Sequence, residues 1–95
     1  MELEFTDAVF EWRSPAPYHF VRVPEDDADE IADVAAAITY GWGMIPAAVT
    51  VGETTMTTAL WPKEGTYFVP LKDKLRHAEG IGLGDVVTVR LRIDV

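Results

Sequence analysis

Six short stretches rich in β-branched and aromatic residues divide this chain, and prolines and glycines stand between them. The stretches are residues 3–12, 18–23, 45–51, 54–61, 66–70 and 85–95. Because proline cannot donate to a strand ladder and glycine favours turns, this pattern predicts six separate strands. The last stretch alternates most regularly. We expect it to have one buried row and one exposed row: Val87, Val89, Leu91 and Ile93 against Arg90 and Arg92.

The first stretch contains an irregularity. Its apolar residues change parity between Phe5 and Ala8, which predicts a bulge near residues 6–7 or a strand covered on both faces. The prolines that follow end this strand, and the second stretch returns beside it as a hairpin-like pair. The third and fourth stretches predict a tighter hairpin, because only Gly52 and Glu53 separate them.

Two short helices are predicted between the strands. Pro24 opens the first, with Asp27 as its N-cap and Glu30 three residues further on. Its apolar residues recur at helical spacing along one narrow face: Ile31, Val34, Ala35 and Ile38. The second helix spans residues 71–79 and ends at Gly80.

Ninety-five residues make one domain, spanning residues 1–95. Six strands with only two short helices leave little to cover a flat sheet on both sides. A mainly β fold is therefore expected, a small closed or partly open β-barrel of about six strands. The alternative is an open α+β sheet with the first helix lying on it.

Charge and composition exclude several classes of partner. The formal net charge is -8, and six of the nine residues from Glu25 to Asp33 are acidic, so nucleic acid is not expected to bind. Cysteine is absent, which fits a reducing compartment. The N-terminus lacks the basic start of a signal peptide, and no apolar run reaches ~20 residues. We expect a cytoplasmic protein without membrane contact, a monomer or weak homodimer that needs no cofactor.

The titratable residues do not define a catalytic centre. His19 and His77 lack the spacing that would bring them onto one ion, so no metal site is expected. Tyr18, Tyr40 and Glu53 are the other candidates for acid–base chemistry. Sequence spacing does not bring any two of them together, so the catalytic residues stay undefined and enzymatic activity stays open.

One aromatic residue is placed unusually, because Trp42 lies between Gly41 and Gly43. The ring either plugs one end of the barrel or forms a pocket wall at its mouth, whereas Trp12 and Trp61 fit a core better. The pocket hypothesis has six candidate binding residues: Tyr40, Trp42, Met44 and Trp61 as the wall, with Arg22 or Arg76 fixing an anionic group.

This pocket makes a binding module for a small, largely apolar molecule the first functional hypothesis. A small cofactor-independent lyase, isomerase or cyclase that uses a pocket tyrosine or histidine is the second. A protein-interaction adaptor is the third. The glycines beside Trp42 are expected to be structural, with Gly41 or Gly43 at positive φ or against another backbone.

Several motifs together resemble one family. They are FVRVPEDDADEI at residues 20–31, GWGMIP at 41–46, LWP at 60–62, TYFVPLK at 66–72 and GLGDVV at 82–87. Over nearly the whole chain they resemble the bacterial and archaeal family of unknown function numbered 1905. The resemblance implies a small β-barrel without an established activity, often found ahead of a bacteriocin-protection-type, OmpD-associated segment. Because the sequence stops at Val95, we expect that segment to be missing here.

The sequence also departs from what the resemblance implies. Relatives are expected to carry a basic residue where Met44 stands and bulkier or more polar groups at Ala47, Ala48, Met56 and Thr57. An anion site built from those positions is therefore not expected in this chain. We expect a roomier and more apolar surface there instead.

Overall fold

A computed structural model describes residues 1–13, 17–38 and 43–94. The strands are β1 (Glu2–Ala8), β2 (Phe10–Arg13), β3 (Pro17–Arg22), β4 (Ile45–Val51), β5 (Thr54–Lys63), β6 (Thr66–Pro70) and β7 (Val86–Arg92). The helices are α1 (Glu25–Ile38) and α2 (Asp73–Glu79). The fold is thus mainly β, with seven strands where six were predicted.

The additional strand arises because the first predicted strand is divided at Val9. All neighbours are antiparallel, in the order β1-β7-β4-β5-β6-β3-β2. The two ends of this order, β1 and β2, are consecutive in the chain, so the sheet curls into a half-barrel. Val9 is buried, and its N–H donates to the Asp85 carbonyl at 2.9 Å, which extends the β1–β7 register by one position.

The predicted bulge at residues 6–7 is not found, because β1 pairs with β7 from Glu2 to Ala8 without a shift in register. The stretch is instead divided at Val9, where the pairing partner changes: β1 pairs with β7, whereas β2 pairs with β3. The parity that faces inward stays the same across this division: Phe5 and Val9 belong to the core, whereas Phe10, at an even position, does not. The predicted hairpin-like pair consequently involves only β2 and β3.

The inside of the half-barrel is almost entirely aliphatic. Its fully buried members include Val21, Ile31, Ile45, Val49, Leu60, Val69, Leu75, Val89 and Leu91. The alternation in the last strand is confirmed for Val89, Leu91 and Ile93, and Arg90 and Arg92 are exposed as predicted. Val87 is only half-buried, because it lies near the start of β7.

Both helices begin at positions that differ from the predictions. Asp27 is not an N-cap, because α1 already begins at Glu25 and the Ala28 N–H donates to the Pro24 carbonyl at 2.8 Å. Pro24 presets the backbone before the helix, so no side-chain cap at residue 27 is needed. Helix α2 begins at Asp73 and not at residue 71, but it ends at Gly80 as predicted, with φ +65°.

Six aromatic side chains form a second packed layer on the outer face of the sheet, opposite the aliphatic core. We call this the outer aromatic cluster: Phe10, Trp12, Tyr18, Phe20, Trp61 and Phe68. Phe20 and Phe68 are fully buried at its centre. Trp12 and Trp61 were predicted to be core residues, but both are half-buried in this second layer, because their strand parity places them on the face opposite the aliphatic core.

Helix α2 is fixed against β5 at two points. The Gly52-Glu53 hairpin is confirmed, and the carboxylate of Glu79 packs directly against Gly52. Thr54 Oγ1 donates to Glu79 Oε2 at 2.5 Å near the end of the helix, and just before its start the Lys72 ammonium donates to the Thr57 carbonyl at 2.8 Å. These contacts hold the helix along the first half of β5.

Candidate ligand-binding site

The β5–β6 ladder stops after only three residue pairs. Trp61, Pro62 and Lys63 pair with Phe68, Tyr67 and Thr66. In the same register the next bonding position on β5, Ala59, faces Pro70. Proline has no N–H to donate, so the ladder cannot continue past this point. Strand β6 stays beside β3, and a gap opens between β5 and the chain leading into α2.

This gap is a cavity of about 790 Å³, which we call the β5–α2 cavity. Its lining consists of Tyr18, His19, Thr57, Thr58, Ala59, Trp61, Pro70, Leu71, Lys72, Asp73, Lys74 and Arg76. The volume falls within the roughly 300–1,000 Å³ typical of small-molecule sites. Tyr18 and Trp61 form an aromatic wall, with ring centroids 5.4 Å apart in an edge-to-face arrangement.

Three cationic side chains stand on the opposite side of the cavity. Arg76 is held in place, because its Nε donates to the Leu71 carbonyl at 3.1 Å and its Nη2 pairs with the Asp73 carboxylate. Its side chain is only 14% exposed. Lys72 reaches across to β5, whereas Lys74 is exposed on α2.

The electrostatics of this cavity oppose those of the whole chain. Three of the eight lysines and arginines line it, together with a single carboxylate, that of Asp73. The rest of the protein must then account for a charge more negative than the total of -8. A local excess of positive charge next to aromatic rings suits a ligand with one anionic end and one apolar end.

The structure brings together some of the predicted binding residues. Trp61 and Arg76 both line the β5–α2 cavity. Met44 meets Trp61 in a smaller adjoining pocket of about 210 Å³. Tyr40 and Trp42 lie outside the described residues, as does Gly41. Gly43 is described and has φ +79°, which confirms the expectation of a positive φ beside Trp42.

Arg22 is placed elsewhere. Its guanidinium lies 5.4 Å from the Phe68 ring centroid and makes an ion pair of 2.9 Å with Glu64. It lines a separate pocket beside the start of α1. Among the two arginines proposed to fix an anion, only Arg76 is beside the aromatic wall.

Only two of the acid–base candidates among the described residues share a cavity. His19 and Tyr18 line the β5–α2 cavity, His77 is exposed on α2, and Glu53 lies at the hairpin tip. Within the described residues no group of three or more histidine, aspartate or glutamate side chains could hold a metal ion.

Burial raises the pKa of the Tyr67 hydroxyl. Its side chain is packed against the core and does not line the β5–α2 cavity. This shift therefore concerns the stability of the fold and not the candidate site.

The predicted roomier surface has a counterpart on the next strand. Ala48 pairs with Thr57, and both line a shallow pocket of about 390 Å³ that also includes Arg92. This pocket shares Thr57 and Thr58 with the β5–α2 cavity. Met44 is not among its lining residues, because it precedes β4 and faces Trp61 instead.

Sequence reasoning missed the lysines and the open strand edge. Lys72 and Lys74 were not assigned to the site, and Tyr18 was considered only for acid–base chemistry. A signal was available in Pro70, whose position in the β6 register ends the ladder. The basic run that starts two residues later then borders the gap.

Comparison with known proteins gives a family and no activity. No helix of the described residues is long and apolar enough to cross a membrane. No curated relative matches the chain significantly. A family model described as "Domain of unknown function (DUF1905)" matches residues 5–91 of the 95. This match includes β2 to β6 and both helices in full and parts of β1 and β7, and the chain belongs to that family.

Proposed function

We propose that this protein is a binding module for a small, largely apolar molecule that carries one anionic group. The observation that carries the proposal is the convergence of the Tyr18–Trp61 wall with three cationic side chains around the β5–α2 cavity. Aromatic rings offer a large apolar surface to a flat ligand, and the cations give its anionic end a fixed direction.

The arrangement of Arg76 supports an anion-binding role. Its bonds to the Leu71 carbonyl and to Asp73 orient the guanidinium before any ligand arrives. Because a pre-oriented side chain loses little conformational freedom on binding, the contact with an anion is more favourable. One carboxylate, that of Asp73, leaves the cavity with a surplus of positive charge.

The test compares two probes with the same carbon skeleton, the anionic 3-phenylpropionate and the neutral 3-phenylpropan-1-ol. Each probe is titrated into isotope-labelled protein, and binding is followed by NMR through the chemical shifts of the backbone amides of residues 57–61 and 71–76. We expect the carboxylate to bind at this cavity and the alcohol to bind several-fold more weakly. Equal affinities, or shifts confined to other parts of the chain, would contradict the proposal.

Two variants make the charge test specific. Lys74→Ala removes an exposed cation that lines the cavity, and we expect it to weaken 3-phenylpropionate roughly three- to tenfold. Arg90→Ala changes the net charge equally but lies on the exposed side of β7, outside the cavity. It should leave the affinity unchanged, so an equal loss in both variants would mean a non-specific charge effect.

A small cofactor-independent enzyme is the second candidate, because His19 and Tyr18 line the same cavity. A histidine beside a bound carbonyl compound would act as a general base and remove an acidic proton. Such an enzyme would exchange that proton with solvent in D₂O, and His19→Gln would abolish the exchange while ligand binding persists. A pure binding module produces no exchange in either protein.

A further inference from the structure

We infer that the β5–α2 cavity recognises an α-amido carboxylate, a carboxylate with an amide on the adjacent carbon. This is the chemistry of an N-acyl amino acid and of the C-terminal end of a peptide. The inference rests on the proposed binding function and adds a hydrogen-bonding partner for the ligand, the open edge of β5.

The direction of the backbone groups along β6 identifies that edge. The Leu71 N–H donates to the His19 carbonyl at 2.9 Å, and the Tyr67 carbonyl accepts from the Val23 N–H at 2.9 Å. These two residues therefore bond toward β3. Since bonding directions alternate along a strand, Phe68 and Pro70 point toward β5.

Opposite them, the carbonyl of Ala59 has no strand donor on β6. If the register of β5 and β6 were extended by two residues, Ala59 would face Pro70, which carries no N–H. On its other side Ala59 is matched with Pro46. Ala59 lines the cavity, so a ligand there can reach its main-chain groups.

The next outward-facing carbonyl along β5, that of Thr57, shows which kind of donor this strand edge binds. The Thr57 carbonyl takes a hydrogen bond from the Lys72 ammonium at 2.8 Å, in the place where a strand N–H would otherwise be. Thr57 and Ala59 are two residues apart, about 7 Å along the strand. The open Ala59 carbonyl and the Lys72 ammonium therefore lie apart by about the length of two extended residues.

An α-amido carboxylate matches this spacing. Its amide N–H would donate to the Ala59 carbonyl, and its carboxylate would reach Lys72 and Arg76. The ligand would run antiparallel to β5, as β6 does, with its carboxylate toward Thr57. Its side chain would pack against the aromatic wall at Trp61.

The space available favours a short ligand. Beyond Ala59 the edge of β5 is occupied, because Trp61 already pairs with Phe68. An N-acyl amino acid fits between this pair and Lys72, whereas a longer peptide has to leave the strand edge at Pro70. We therefore expect the free N-acyl amino acid to be the better source of this chemistry.

The experiment adds an amide to the probe used above. N-acetyl-L-phenylalanine keeps the phenyl ring and carboxylate of 3-phenylpropionate and adds one amide. We expect it to bind roughly fivefold more tightly, and N-acetyl-N-methyl-L-phenylalanine, which cannot donate, to lose that gain. Equal binding of all three carboxylates would overturn the inference while leaving the proposed function intact. Failure of 3-phenylpropionate to bind would instead contradict the proposed function.

A pair of proline variants tests the strand edge itself. Pro70→Ala supplies the missing N–H opposite Ala59, so the affinity ratio between N-acetyl-L-phenylalanine and 3-phenylpropionate should fall to about one. Pro46→Ala makes the same chemical change on β4, where it does not line the cavity, and should preserve the ratio. An unchanged ratio in a correctly folded Pro70→Ala protein would exclude the Ala59 carbonyl as the acceptor.

A longer probe distinguishes the two sources. N-acetyl-Ala-Ala-Phe carries the same terminal residue with two further amides. Weaker or equal binding relative to N-acetyl-L-phenylalanine would identify a free N-acyl amino acid, and tighter binding would identify a peptide C-terminus. Either result identifies only the source, and whether the amide makes a contact is decided by the comparison with N-acetyl-N-methyl-L-phenylalanine.

Discussion

The two ends of β5 have the same backbone conformation and opposite surroundings. From Trp61 to Lys63 the strand has β6 as a partner, and its outer face carries the aromatic cluster around Phe68. From Thr54 to Ala59 it pairs only with β4 among the described strands, and its free edge faces cations. The residue opposite a strand edge thus decides whether that edge is paired with another strand or open to a ligand. For β5 this residue is Pro70.

The difference also concerns what stabilises each end. The paired end depends on burial of large rings, so it should be sensitive to loss of volume. The open end is held by side-chain hydrogen bonds from α2, which contribute less individually. Four predictions test this contrast.

The largest effect is expected at the paired end, for Phe68→Ala. Phe68 is fully buried, and its ring packs against Phe10 and Trp12 with centroid distances of 5.0 and 5.5 Å. We expect a loss of roughly 3–5 kcal/mol in the free energy of unfolding, measured by urea denaturation. The matched change at the open end, Thr57→Ala, should cost less than about 0.5 kcal/mol. Similar costs at both ends would remove the contrast.

A smaller effect is expected for Gly43→Ala. Its φ of +79° is unfavourable for alanine, and the added methyl would meet the Pro62 ring at 3.4 Å. The expected cost is about 1 kcal/mol in thermal or urea unfolding. The control is Gly82→Ala, where the nearest atom is an Asp85 carboxylate oxygen at 3.8 Å and φ is not in the left-handed region. A cost as large at Gly82 would mean that backbone strain is not the cause.

Pro70→Ala should change stability little although it changes the ladder. The unfolded chain gains freedom without proline, which costs about 0.4–1 kcal/mol. A new hydrogen bond to the Ala59 carbonyl contributes about 0.5–1.5 kcal/mol, so the two effects nearly cancel. Hydrogen exchange measured by NMR should show a protected amide at residue 70. Rapid exchange there would mean that the strands stay apart for another reason.

The smallest effect concerns pH and the residue paired with Pro62, Tyr67. Burial raises the pKa of its hydroxyl above the ordinary 10.0, so the folded state favours the neutral form. This contribution is complete below the unfolded-state pKa and is lost as the pH rises through the folded-state pKa. Tyr67→Phe should therefore reduce the alkaline decline in stability above about pH 10, measured as urea midpoints. An identical decline in the variant would contradict it.

Much of the sheet could be predicted because its determinants are local. Alternation fixed the face of Leu91, and the two-residue spacing around Gly52 fixed the tighter hairpin. The division at Val9 could not be predicted, because it depends on which distant strand pairs with each half of the first stretch. Asp27 was misassigned although helix starts are determined locally, because α1 already begins two residues before it, at Glu25.

The candidate site was predictable only in its residue types. Trp61 and Arg76 were chosen as an aromatic and a cation, and the fold brings them to one cavity. Arg22 also carries a guanidinium that could bind an anion, but its strand parity places it beside Phe68 and Glu64. The open edge at Ala59 depends on a register between two strands, which composition and periodicity do not contain.

The division at Val9 also governs the order in which the chain can fold. Strand β2 pairs with β3, which follows it closely, whereas β1 pairs with β7, so that Leu3 lies beside Leu91. During synthesis β2 can therefore find its partner early, but β1 has none until the last strand has left the ribosome. Pairing of such distant segments is slow because a long loop must close first. The strand that is made first is therefore among the last to be paired, and until then β7 does not cover Leu3 and Phe5.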